Sequence, residues 1–321
     1  MHGIRRTVDL RSVVFFFLLA ALWLAWPAPG WALEEVIVSS PGPTITFLAP
    51  EVARRQGFFR EQNLEIKYVV TRTEAERAAL ASGSIDYALR AGSTFVSAAR
   101  GLPVRVIFIG TTKPFWGLVV RPEVKAASDL RGKSLGVPGL LGSQQISAKI
   151  ILKQNGLDPD KDVTYRIVEP GARIPAMLAG SIESSMMDYA EAFRAKKAGL
   201  KMLINAADCH GLLAGGVGVN IRKLREQPDQ IKRFLRAMVQ AHKYIQENPE
   251  GTQDIMMKWL KLDREMAREI YRMSINNFTK DGTLEESVIN TLVGGMLAEA
   301  GIKGVTGFQL TDFALLYEVL K

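Results

Sequence analysis

Arg90 and Asp188 are the charged residues in this 321-residue sequence whose surroundings point to chemistry, because each follows a short apolar run at the predicted end of a strand. An arginine so placed is costly to leave unpaired. It can hold a carboxylate or sulfonate through two parallel hydrogen bonds, or it can close on a local acid. Asp188 has the opposite sign and can receive a ligand amine or hydroxyl, or bond to backbone near a hinge. Ser93 and Ser143 stand at predicted helix starts, where unpaired N–H groups and the positive end of the helix dipole can hold an anionic oxygen. The alternative is that each serine caps its own helix. Trp116 reads either as an apolar wall or as core, and His210 either as a ligand contact or as a structural histidine. Arg90 and Asp188 together suit a ligand bearing both charges, or they bridge two lobes directly.

The elements that must position these residues recur. Leu80-Ala81-Ser82-Gly83-Ser84-Ile85-Asp86 leads through an apolar run to Gly92-Ser93-Thr94 and closes at Gly101-Leu102 before Val104–Phe108. About a hundred residues later Leu178-Ala179-Gly180-Ser181-Ile182-Glu183 leads through Met186-Met187-Asp188 and closes at Gly199-Leu200 before Lys201–Ile204. Each copy parses as a helix end, a glycine reversal, a short strand, an elbow, a second helix, a glycine stop and another strand. Two such βαβ units predict two α/β lobes of similar build, with ligand chemistry outside the carboxyl ends of their strands.

Flanking segments fit that plan. Val36-Ile37-Val38 reads as the first strand and Ser39–Thr44 as turn chemistry, followed by a helix from about Ile45 to Gln56 and a strand from Leu64 to Val70. Thr73-Glu74-Ala75-Glu76 and Thr283-Leu284-Glu285-Glu286 both match a capping box. From Pro228 onward the pattern is helical, with Ile231, Phe234, Leu235, Met238, His242 and Ile245 on one face.

The first 32 residues read as a secretory signal. Arg5, Arg6 and Arg11 precede an apolar stretch from Val13 to Trp26, and small residues end at Ala32. The stretch falls short of the roughly 20 residues that span a bilayer. Cleavage after Ala32 lowers the formal charge from +8 to +6 by removing three arginines and one aspartate. No basic run is interleaved with aromatics, so nucleic acid is not an expected partner. Cys209 is the single cysteine and cannot form an internal disulfide. His210 and His242 are the only histidines after the signal, so neither a metal site nor a cofactor is expected. The sequence holds no phosphate loop.

The run Ala49-Pro50-Glu51-Val52-Ala53-Arg54-Arg55-Gln56-Gly57-Phe58-Phe59-Arg60-Glu61-Gln62-Asn63-Leu64 resembles the opening signature of substrate-binding proteins of ABC importers, in the branch that takes nitrate, sulfonates, taurine and thiamine precursors. Four further phrases match that branch in order: the Leu-x-x-Gly-Ser-Ile-Asp phrase, Arg100–Val104, Asp129–Lys133 and Asn155–Pro159. The resemblance covers most of residues 36–250. It implies a two-lobed periplasmic binding protein fold of type II, each lobe a mixed sheet flanked by helices, with two crossings as hinge and extra C-terminal helices. The expected lobes are 33–117 with 217–321, and 118–216. It also implies a ligand site formed by Thr44, Arg90, Gly92, Ser93, Gly142, Ser143, Gln144 and Asp188, to which Trp116 and His210 are added from their own placement. Glu183 and Asp188 depart from the pattern of the second copy, which counts against a purely anionic ligand.

The expected function is that of a periplasmic monomer, not an enzyme, that captures a small polar organic solute, anionic or zwitterionic, and passes it to an inner-membrane ABC permease. The alternatives are an exported ligand-sensing protein and a thiamine-pyrimidine-synthase-like enzyme on the same fold. That enzyme branch relies on cysteines and histidines that this chain lacks.

Overall fold

The structure is a computed structural model that describes residues 33–321 apart from 141, 210, 211 and 214. The expected signal segment, residues 1–32, and His210 lie outside the described residues. The first sheet takes β1 (Glu34–Ser40), β2 (Leu64–Val70), β3 (Tyr87–Arg90) and β4 (Val104–Ile109). The second takes β5 (Trp116–Val120), β6 (Lys133–Val137), β7 (Val163–Ile167), β8 (Ser184–Asp188) and β9 (Lys201–Asn205). The chain then returns as β10 (Gly215–Asn220), which completes the first sheet.

The two sheets share one topology. Their orders are β2-β1-β3-β10-β4 and β7-β6-β8-β5-β9. In each, the first three strands are parallel, and the crossing strand enters antiparallel between the third strand and the last. Arg90, ending β3, faces Gly215 of the crossing strand, and Asp188, ending β8, faces Trp116 of the other. The expected α/β fold of two mixed sheets flanked by helices is therefore present, and the repeated phrase marks the same step in both. Gly83 and Gly180, which end the helix in each copy, have φ of 81° and 74°, a region that penalises any side chain with a Cβ.

Helices that position the site are α1 (Leu48–Arg55), α2 (Thr73–Ser82), α3 (Ala91–Ala99), α4 (Ser143–Gln154), α5 (Arg173–Leu178) and α6 (Tyr189–Lys197). The helix expected from Ile45 opens with a short 3-10 turn, Ile45–Phe47, before α1. Neither capping box forms. Arg72 and Glu285 occupy the cap positions without side-chain bonds, because Glu76 is buried against Ser39 and Arg90 while Thr283 turns to Asp281.

The C-terminal helices include α7 (Pro228–Glu247), α8 (Pro249–Leu260), α9 (Arg264–Ser274) and α10 (Glu286–Glu299). The predicted face of α7 is buried, and Phe234 stacks on Tyr87 with ring centroids 4.0 Å apart. These helices do more than cover the first sheet. Asp263 before α9 pairs with Lys197 of α6 at 2.8 Å, and Glu299 of α10 pairs with Lys153 of α4 at 2.8 Å, so they also hold the second lobe.

Candidate ligand cavity between the two sheets

The loops after the parallel strands of both sheets converge on a cavity of about 190 Å³. From the first lobe come Pro41 and Thr44 after β1, Thr71, Arg72 and Thr73 after β2, and Arg90 at the end of β3. From the second come Pro138 after β6, Glu169 and Pro170 after β7, Asp188 at the end of β8, and Trp116. The lobes meet closely around it. A Cβ built on Gly92 would run into Ser143 Oγ and lie 2.9 Å from the Leu213 carbonyl oxygen, and one on Gly139 would lie 3.5 Å from Thr73 Oγ1. At the mouth, Arg72 Nε lies 3.1 Å from Glu169 Oε1 and joins the lobes.

Of the residues expected at the site, Thr44, Arg90, Ser93, Trp116, Gly142, Ser143, Gln144 and Asp188 line this cavity. Gly92 is not among the lining residues and instead permits the close approach of α3 to Ser143. Arg90 has its guanidinium engaged: Nη1 donates to Glu76 Oε2 at 2.7 Å and Nη2 to the Thr71 carbonyl at 2.7 Å. Glu76 in turn accepts from Ser39 at 2.6 Å. Burial pushes the Glu76 carboxyl up from its ordinary range, against the pull of Arg90 and Ser39. Arg90 thus closes on a local acid.

Asp188 caps α6 by accepting from the Glu191 N–H at 2.9 Å, and burial raises its pKa. Ser93 accepts from Arg77 at 3.3 Å, and neither it nor Ser143 caps its helix. Trp116 donates through Nε1 to Ser147 at 2.9 Å, which fixes the indole as a wall.

Sequence reasoning missed Arg173. Its side chain is 1% exposed and lines the cavity from the first turn of α5. Nε donates to the Val168 carbonyl at 3.0 Å, and Nη1 donates to the Met186 carbonyl at 2.8 Å and to Glu191 Oε2 at 2.9 Å. Glu191 is fixed from its other oxygen by the Gly171 N–H at 3.3 Å, and burial raises its pKa despite Arg173. Arg173 Nη2 and Gln144 Oε1 are buried and have no hydrogen-bond partner among the described residues. The signal that could have found Arg173 is positional. Glu169–Arg173 follows β7 as Thr71–Thr73 follows β2, and both loops reach the cavity.

Among the described residues no group of His, Cys, Asp and Glu could hold a metal ion, and no helix is long and apolar enough to cross a membrane. Cys209 is partly buried with its thiol 3.6 Å from the Asn205 carbonyl, and it does not line the cavity.

Comparison with known proteins agrees with this geometry. The chain is 25% identical over 253 residues to the riboflavin-binding protein RibY of Chloroflexus aurantiacus, a match that covers 75% of this chain and 71% of that one. It is 27% identical over 227 residues to a 4-amino-5-hydroxymethyl-2-methylpyrimidine phosphate synthase of Saccharomyces cerevisiae, covering 64% of this chain and 65% of the synthase. The alkanesulfonate-binding protein SsuA of Xanthomonas axonopodis pv. citri, solved with MOPS, superimposes with a TM-score of 0.70 at 16% identity over 88% of this chain and 98% of that one, a likeness of fold. The fold is that of the periplasmic binding proteins, and the model of the family described as NMT1/THI5 like matches residues 46–252, so the chain belongs to the NMT1/THI5-like family.

Proposed function

We propose that this protein captures a small polar organic solute between its two lobes in the periplasm, and presents it to an ABC permease of the inner membrane. The observation that carries this reading is the cavity itself. It is walled by strand-end loops of both sheets, so it exists as a chamber only when the lobes are together, as capture requires. The riboflavin-binding relative and the alkanesulfonate-binding neighbour are both named for capture of a small molecule.

The test is a thermal-shift screen of the purified protein against sulfonates, carboxylates, amino acids, carboxamides, polyamines and thiamine precursors. A ligand at about 100 times its dissociation constant adds about 2.7 kcal/mol of stability. Gly92→Val should weaken the resulting affinity at least about tenfold, because the added side chain meets Ser143 and holds the lobes apart. Unchanged affinity in that variant would remove lobe closure from the function.

A further inference from the structure

The first sheet carries a second pocket at the end away from the cavity. β4 is an edge strand, paired on one side with β10. Both β3 and β4 run antiparallel to β10, so the start of β4 lies at the end of the sheet opposite the strand ends that wall the cavity. The free edge of β4 is covered by the C-terminal segment, where the Asp312 N–H donates to the Val106 carbonyl at 2.9 Å. Beyond β10 the chain turns into a short helix, Ile221–Glu226, whose first N–H donates to the Pro103 carbonyl at 2.9 Å. Between this helix, β4 and the last helix, Ala314–Leu320, lies an open pocket of about 400 Å³. None of its walls comes from the second sheet, so it does not depend on closure of the lobes.

Its walls are apolar and its charge is unbalanced. Ile221, Leu224 and Leu315 line it and are half-buried. Arg105 stands between Val104 and Val106, both fully buried, so the alternation of the strand turns its half-buried side chain to the other face of β4 and into the pocket. Its Nη1 donates to the Val104 carbonyl at 2.8 Å, and neither it nor Arg225 pairs with an acid among the described residues. The charges around them are engaged elsewhere: Arg222 lies 3.9 Å from Glu226 and Lys232 3.4 Å from Glu318. Asp312 is the single acid lining the pocket, and its Oδ1 accepts from the Ala314 N–H at 3.2 Å. Two guanidiniums against one carboxylate leave one positive charge over. A half-buried guanidinium without a counter-ion is costly, and its fork of donors matches the oxygens of a carboxylate, sulfate or phosphate. The space suits a body larger than one ring, since a cavity of about 150 Å³ already accepts benzene.

We propose that this pocket is a second binding site, for a small amphipathic anion whose single charged head is held by Arg105 and Arg225 and whose aliphatic body packs on Ile221, Leu224 and Leu315. It stands apart from the capture reading and does not rest on it.

The experiment is calorimetric titration of the purified protein with butanoate, hexanoate and octanoate, all below micelle formation, and with hexanamide and hexylammonium, so that chain length and head charge vary separately. Hexanoate should bind at least about tenfold more tightly than hexanamide or hexylammonium, and affinity should rise at least about twofold per added methylene from butanoate to octanoate. Arg105→Gln and Arg225→Gln should each remove most of the preference for the anion while the unfolding midpoint without ligand stays put. Gly92→Val, which spoils the cavity between the lobes, should leave octanoate binding as it is. A loss in Gly92→Val puts the anion in that cavity and overturns the second site. Equal binding of hexanoate and hexanamide, full affinity in both arginine variants, no gain with chain length, or no binding at all overturns it too, and each of these leaves capture standing. Flotation with vesicles of phosphatidylglycerol separates a free amphiphile from a lipid surface: flotation that needs both arginines, without binding of octanoate, assigns the pocket to the bilayer and overturns the small-molecule site.

Discussion

The two elbows of the repeat occupy equivalent places and have opposite fates. Arg90 faces Gly215 across the crossing strand of the first sheet, and Asp188 faces Trp116 across that of the second. Arg90 is taken up by Glu76 from the helix before it and by the Thr71 carbonyl. Asp188 is taken up as the cap of α6, and that helix start brings Glu191 to Arg173. In the second lobe the arginine comes from the first turn of α5, after β7, and its Nη2 is buried with no hydrogen-bond partner among the described residues. A charge at a strand end is therefore available to a ligand only if the neighbouring helix has not already claimed it.

This contrast predicts unequal costs for removing the two acids. Glu191→Ala leaves Arg173 buried and without its counter-charge, and breaking a buried pair this way costs about 3–5 kcal/mol. Glu76→Ala should cost less, because the Arg90 side chain is 15% exposed against 1% for Arg173 and can turn toward water. Urea denaturation of both variants measures the difference. Equal losses would mean that the two arginines are held alike and that the asymmetry of the lobes is not energetic.

An open polar atom is not by itself a site, and His242 sharpens the point. Its Nε2 is buried without a partner, as Arg173 Nη2 is, but it lines a space of only about 10 Å³ behind Thr46 and Phe47, room for about one water. Nδ1 lies 2.8 Å from the Thr279 carbonyl, and burial lowers the pKa from 6.5 to about 4. The unfolded chain binds this proton below about pH 6.5, whereas the folded protein resists it until about pH 4. Stability is thus fully present above 6.5 and is lost as pH falls, by up to about 1.4 kcal/mol per pH unit inside that window. Asp188, Glu76 and Glu191 act in the opposite sense, because burial raises their pKa values and their stabilisation fades as pH rises. The check is therefore a difference: His242→Gln should show a shallower acid loss than the parent between pH 6.5 and 4. Parallel curves would mean that the folded protein takes up the His242 proton as readily as the unfolded chain does.

Most of the fold was legible because the repeat is written in features with a direct physical meaning. Gly83 and Gly180 must adopt positive φ, and the runs after them form short, almost wholly buried strands. The neighbourhood of the site was legible for a related reason, since strand ends carry the loops. The allocation of partners was not. Glu76 looked like half of a capping box and is instead the counter-ion of Arg90. Arg173 looked like an ordinary residue before a helix, because nothing local in Glu169-Pro170-Gly171-Ala172-Arg173 announces that Glu191, eighteen residues on, will hold it. Pairings between elements depend on register and rotamer, which a pattern of residue types does not contain.

The smallest expected effect lies at the mouth, where Arg72 and Glu169 join the lobes in solvent. Their side chains are 76% and 45% exposed, against 1% and 6% for Arg173 and Glu191. An exposed pair contributes at most about 1 kcal/mol and is screened by salt, with a Debye length of about 3 Å at 1 M. Arg72→Ala should therefore weaken solute binding by no more than about fivefold at low salt, and the deficit should vanish at about 1 M salt. Titrations at the two salt concentrations decide it. A loss of about tenfold or more that persists in salt would put the recognition at the mouth and set Arg72 apart from Arg90 and Arg173, arginines engaged by buried acids of their own lobes.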